Sequence, residues 1–102
     1  MILFWSTPAI DDLTGIRDYI AQGSEYYAAE FIQRILQTAE KLERFPECGR
    51  IIPELDDPTA RELIFQNYRI LYRLKTDRID IAAVIHGRSD ISRTITERWE
   101  II

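Results

Sequence analysis

Cysteine and histidine each occur once in the 102 residues, as Cys48 and His86. A single cysteine excludes an internal disulfide, and one thiol with one imidazole falls short of a zinc site. No metal and no cofactor is therefore expected. Long apolar runs are missing too, since nothing approaches the about 18 residues that a membrane span requires. The opening MILFWSTPAIDD has no basic leader and soon meets two aspartates, which speaks against a signal peptide and for a cytoplasmic protein with no membrane partner. Repeats, low-complexity stretches and linkers are absent. At 46% hydrophobic residues the chain holds enough apolar side chains for one compact core, so one domain over residues 1–102 is the expectation.

Lysine is scarce as well, Lys41 and Lys75 being the only two, and no tyrosine follows Tyr72. Arginine takes the place of lysine, and it comes late. Met1 to Ala60 carries 5 Lys/Arg against 11 Asp/Glu, whereas Arg61 to Ile102 carries 8 against 6, and seven of those eight are arginines. Flat guanidinium groups suit bidentate contact with carboxylate or phosphate. A net charge of −4 nevertheless disfavours unspecific nucleic-acid affinity, which rests on neutralising many phosphates. A protein or nucleoprotein target fits better.

Ile2 to Trp5 reads as an opening strand. Thr7 as an N-cap, Pro8 at the first helical position and the early Asp11 and Asp12 predict a helix, which Ala9, Leu13, Ile16 and Ile20 continue as far as Gly23. Gly15 costs this helix about 1 kcal/mol against alanine, a loss that packing against a neighbour could offset. Ser24 caps a second helix whose apolar stripe is Ala28, Phe31, Ile32, Ile35, Ala39 and Leu42, closed by Phe45-Pro46. The short joint makes the two helices antiparallel. Glu47 to Thr59 reads as a loop. The period then falls to two: Arg61 to Phe65, Tyr68 to Leu74 and Ile79 to His86 form a meander, with Ile79, Ile81, Ala83 and Ile85 on the face that receives the hairpin. The fold class is α+β. After Gly87, the spacing of Ile91, Ile95, Trp99 and Ile102 predicts a short helix whose apolar stripe needs a cover, its own sheet or a partner.

Behind a strand ending in Trp5, five pieces follow in order. They are Ala9-x-x-Asp12-Leu13-x-x-Ile16-x-x-Tyr19-Ile20, Leu42-x-x-Phe45-Pro46-x-x-Gly49-Arg50, Arg61-x-Leu63, Tyr68-Arg69-Ile70-x-Tyr72 and Val84-Ile85-His86-x-Arg88. Together they resemble the ParE branch of the RelE/ParE toxins over most of the chain. The resemblance implies a β-α-α-β-β-β fold with a mainly antiparallel sheet and a short C-terminal segment. It also implies a cognate antitoxin encoded beside the toxin, and with it a toxin-antitoxin hetero-oligomer. Several matched positions have structural explanations of their own. Leu13, Ile16 and Ile20 are core stripe, and Phe45 is expected to plug the end of the hairpin. Gly49 is expected to take a backbone angle that a side chain forbids. Tyr68 and Tyr72 are expected to be core bodies with polar tips.

Ribosome-dependent relatives in this superfamily cut messenger RNA, which requires a group to activate the 2'-OH, cations for the phosphate and an acid for the leaving oxygen. Arg61 and Arg88 match the cationic positions of such RelE-like nucleases, and His86 is a conceivable acid or base. The lysine-bearing loop and C-terminal tyrosine of those enzymes are not matched, nor is the terminal His-Tyr pair of the YoeB-like branch. Cys48 has no neighbouring base that would make it a nucleophile. The preferred implication is a non-enzymatic toxin that binds DNA gyrase and stalls it on cleaved DNA. The alternatives are a ribosome-dependent mRNA endoribonuclease using Arg61, His86 and Arg88, and a non-toxic, antitoxin-binding co-repressor. Partner contacts are expected at Arg61, Arg69, Arg73, Arg88, Arg98 and Trp99. Most of these positions also have a plainer reading: Arg69 and Arg73 as solvated charges pairing with Glu62 or Asp80, Arg50 and Arg61 as partners of acids in the loop from Glu47 to Asp57, His86 as a hydrogen-bonded strand end, and the tail from Ser89 as a seal on the core.

Overall fold

The computed structural model describes residues 1–99. In chain order the elements are β1 (Ile2–Trp5), α1 (Thr7–Ala21), α2 (Glu25–Arg44), β2 (Arg50–Ile51), β3 (Ala60–Phe65), β4 (Tyr68–Leu74), β5 (Arg78–His86) and α3 (Ile91–Arg98). The start of α1 lies one residue ahead of the sequence expectation. Ser6 is the N-cap, its Oγ accepting from the Ala9 N–H, and Thr7 is already helical. Ser24 does the same for α2 through the Tyr27 N–H. Both caps supply an acceptor to an N–H that the helix itself cannot satisfy.

The five strands form one sheet in the order β1-β5-β4-β3-β2. β1 runs parallel to β5, while β5, β4, β3 and β2 pair antiparallel. The mainly antiparallel expectation thus holds, with one strand added. β2 lies inside the segment read as a loop, where two residues are too few for alternation to announce a strand. They pair because Arg50 and Ile51 come opposite Glu62 and Arg61 of β3.

One register detail governs the rest. Along β4 and β5, Tyr72 faces Ile81 but Leu71 faces Ala83, so Ala82 is an extra residue without a partner. A bulge of this kind reverses which side chains point to which face. Ile79 and Ile81 therefore join Val84, Ile70, Tyr72, Ile35, Leu42 and Leu13 under the α1–α2 hairpin. Ala83 and Ile85 point the other way, so the expectation that all four alternate residues of β5 share one face fails at Ala82.

The outer face has a core of its own. Ile52, Ala60, Leu71, Ala83 and Ile91 are buried together, with Leu55, Ile85, Ile95 and Trp99 packed against them. The tail is thus a helix lying on its own sheet, and the hairpin side alone does not complete the core. Ile102 of the expected stripe lies outside the described residues.

Arg98 fastens this helix. Its Nη2 donates to Asp12 Oδ1 of α1 at 2.9 Å, and its Nη1 bonds Asp12 Oδ2 and the Ala82 carbonyl, the latter at 3.1 Å. Asp12 Oδ2 also accepts from the Val84 N–H at 2.9 Å. Beyond the end of β1 the outer edge of β5 would leave backbone groups unpaired, and Asp12 with Arg98 satisfies them across the bulge.

Three local expectations are corrected. Phe45 does not plug the hairpin, because its ring is 58% exposed, with the Arg44 guanidinium over it. Gly49 has no unusual backbone angle: no glycine has positive φ, and what glycine provides there is room. A Cβ would lie 2.4 Å from the Tyr72 hydroxyl and 2.6 Å from the Glu62 carbonyl oxygen. Gly15 faces open space, so no packing offsets its cost to α1.

Candidate functional site

The Gly49 contact organises the approach to the site. Tyr72, fully buried in β4, accepts from the Gly49 N–H at 3.0 Å and donates to the Pro46 carbonyl at 2.9 Å. Burial pushes its pKa up to about 12. The Phe45-Pro46-x-x-Gly49-Arg50 piece is therefore tied to the sheet by one hydroxyl, which sets Arg50 beside β3.

Arg50 begins a chain of ion pairs on the outer face. Its Nε reaches Glu62 Oε1 at 2.7 Å, and Glu62 Oε2 accepts from Arg69 Nε at 2.7 Å. The remaining fork of Arg69 grips Glu54, Nη1 to Oε2 at 3.0 Å and Nη2 to Oε1 at 2.9 Å. Glu62 has no exposed side-chain surface, and Arg69 is buried as well. Such groups are tolerable inside because each is paired and hydrogen-bonded. The Glu54 pairing, together with Glu62 and against burial, holds the Arg69 pKa above its ordinary value, and the same hydrogen bonds hold Glu54 below the usual carboxylate range. Arg69 is thus a buried centre of two carboxylates: it does pair with Glu62, as its plainer sequence reading had it, but it is buried rather than solvated.

Beside this network lies a cleft of about 440 Å³ lined by Arg50, Ile64, Gln66, Asn67, Tyr68, Arg69, His86, Gly87 and Arg88. Gln66, in the tight β3–β4 turn, has φ 51°. The His86 ring packs edge-on against Tyr68, with centroids 5.5 Å apart. Its Nδ1 accepts from the Arg88 backbone N–H at 3.2 Å. In the neutral ring that assigns the proton to Nε2, which makes the free edge of His86 a donor. Arg88 is exposed, and among the described residues its guanidinium meets no carboxylate.

The residues singled out in the sequence fall into separate places. Arg69, His86 and Arg88 share the cleft. Arg61 does not join them: its guanidinium donates to the carbonyls of Pro58, Glu47 and Gly49 and meets no acid of the loop. Arg50 pairs with Glu62 of β3, again not with the loop. Arg73 lies over the Trp99 ring and donates to the Trp99 carbonyl, while Asp80 takes Lys75 and Arg78 instead. Arg98 is bound to Asp12, and Trp99 packs into the outer core. Sequence reasoning left Arg50, Asn67, Tyr68, Glu54 and Glu62 out of the site. Glu62 carried a signal, an acid that shares a strand face with Ala60 and Ile64 at alternate positions.

Known proteins converge on the same architecture. The chain is 36% identical over 84 residues to Toxin RelE2 of Caulobacter vibrioides, spanning 81% of this chain and 91% of that protein. It superposes on a chain of the chromosomal ParDE toxin-antitoxin system from P. aeruginosa with a TM-score of 0.72 at 25% identity, covering 84% of this chain and 95% of that one. Fold and sequence together define a toxin of the type II toxin-antitoxin class. The family described as the ParE toxin of the type II toxin-antitoxin system, parDE, matches residues 3–91, and the chain belongs to it.

Proposed function

We propose that this ParE-type toxin acts in the cytoplasm by binding rather than by cutting: it engages DNA gyrase, stalls it on cleaved DNA and is neutralised by a cognate antitoxin in a hetero-oligomer. The observation that carries the reading is where the arginines are spent. A nuclease must leave cations free for the phosphate at the point of reaction. Here the fork of Arg69 holds Glu54 and its Nε holds Glu62, and Arg61 is used up on backbone carbonyls, so that beside these two Arg88 alone has a guanidinium holding neither a carboxylate nor a carbonyl among the described residues. His86, a donor at its free edge when neutral, is not set to take a proton from a 2'-OH. Membership of the ParE family favours gyrase as the target.

A second reading has one observation behind it. Tyr68, His86 and Arg88 line the same cleft, so two proton donors and a cation, part of the set an mRNA endoribonuclease needs, stand together. Brief induction of the chain in bacteria separates the two. Gyrase binding predicts double-strand breaks in plasmid DNA carrying covalently attached gyrase, with incorporation of labelled amino acid falling only later. Immediate translation arrest with site-specific transcript cleavage, lost in folded His86→Ala or Arg88→Ala, overturns it.

A further inference from the structure

The cleft beside the β3–β4 turn has a charge balance that points to one kind of occupant. Arg50, Arg69 and Arg88 line it, and the carboxylates that answer them are Glu62 and Glu54. Among the described residues one positive charge is left over, that of Arg88, and His86, whose neutral ring carries its proton on Nε2, lines the same cleft. The molecule itself also displays which group the cleft accepts. Glu54, whose side chain is 42% exposed on the loop after β2, sits in the fork of Arg69 in a two-point carboxylate arrangement. The chain has a net charge of −4, so a phosphate polyanion, whose affinity rests on neutralising many charges, gains little from the rest of the surface. A carboxylate needs only one cation with a donor beside it.

We propose that this cleft binds one carboxylate side chain of a protein partner, held by Arg88 and His86 alongside the Arg69–Glu54 pair. The proposal rests on the reading of the chain as a toxin held by protein partners and adds the site and the chemistry of the contact. Glu54 acts as an internal competitor, because it occupies the fork that an incoming acid would otherwise take. Removing it raises the surplus from one positive charge to two.

The test is a nuclear magnetic resonance titration of the full chain with a hexaglutamate peptide and, separately, with hexathymidylate, at low ionic strength. Hexaglutamate is expected to move the resonances of Arg69, His86 and Arg88 saturably. Arg88→Ala should weaken this binding about tenfold, the loss of one charge-assisted contact, and Glu54→Ala should tighten it. Arg88 is exposed, so its removal leaves the fold intact, and unchanged resonances elsewhere verify that. Hexathymidylate binding the cleft as tightly as hexaglutamate makes it a nucleic-acid site and overturns the proposal. So does hexaglutamate affinity that ignores either substitution, or an absence of shifts at the cleft. The titration contains neither gyrase nor antitoxin, so failure of the gyrase reading would register in plasmid topology and leave this result standing.

Discussion

On the hairpin face of the sheet, α1 and α2 lay Leu13, Ile35 and Leu42 over Ile70, Tyr72, Ile79 and Ile81, and the buried polar tip of Tyr72 has both its bonds made. On the outer face an eight-residue helix covers Leu71 and Ala83, and next to it Arg50, Glu62, Arg69 and Glu54 form an ionic chain where apolar cover is missing. A closed face of this kind contributes stability through area removed from water. A face that is half closed must pair its charges instead, and the pairs leave donors at the rim. The candidate site lies beside this half-closed side, where Arg69 and Arg88 reach the cleft at the end of the sheet.

The comparison breaks first at the closed face. Ile35→Ala removes a fully buried side chain from the hairpin and should cost about 4 kcal/mol, read as a lower urea midpoint with the slope unchanged. A loss below about 1 kcal/mol would mean that the hairpin packs loosely and that the contrast between the faces is illusory.

Next in size is the ionic face. Glu62→Gln leaves Arg69 buried with a single charged partner and should cost about 3 kcal/mol. The double change Glu62→Met with Arg69→Met should recover much of that, since a well-packed apolar pair removes the desolvation penalty. If the double variant is no better than the single one, the network is a net source of stability. The outer face would then be more firmly closed than its composition suggests.

Tyr72→Phe sharpens the hairpin side through pH. Burial keeps the hydroxyl neutral in the folded chain, with its pKa near 12, whereas the unfolded chain ionises at about 10. The contribution is therefore complete below about pH 10 and is lost as pH rises toward 12. The phenylalanine variant should lose about 1 kcal/mol at neutral pH, for two hydrogen bonds removed, and should lack this step in an alkaline unfolding series. A parallel alkaline loss in both proteins assigns it to another group.

Gly15→Ala gives the smallest effect, and it is a gain. A Cβ at this exposed helical position meets nothing within 4 Å, so the variant should be more stable by about 1 kcal/mol, measurable as a raised melting temperature.

Much of the closed face was legible in the sequence because its signals are local. The α2 stripe from Ala28 to Leu42 follows from helical spacing, Ser24 from its cap position, and Tyr68, Ile70, Tyr72 and Leu74 from alternation on an uninterrupted strand. The ParE resemblance carried the order of elements. The site was legible only in pieces: Arg69, His86 and Arg88 were named, but Arg50 and Glu54 were not placed with them. Their meeting depends on a two-residue strand and a loop that no periodicity describes.

By itself, then, the sequence determined the hairpin, every strand but β2, the helical tail and the arginine-rich second half, all of which follow from the spacing of neighbours along the chain. Only the tertiary structure decided which face each residue serves. The unpaired Ala82 sends Ala83 and Ile85 to the outer side, where α3 finds its core. The Tyr72 hydroxyl fits only because Gly49 has no side chain. Arg69 meets Glu54 and Glu62, while Arg61, eight positions earlier, meets carbonyls, because a guanidinium bonds whichever acceptor the fold brings within about 3 Å. That distance is set by segments far apart in the chain.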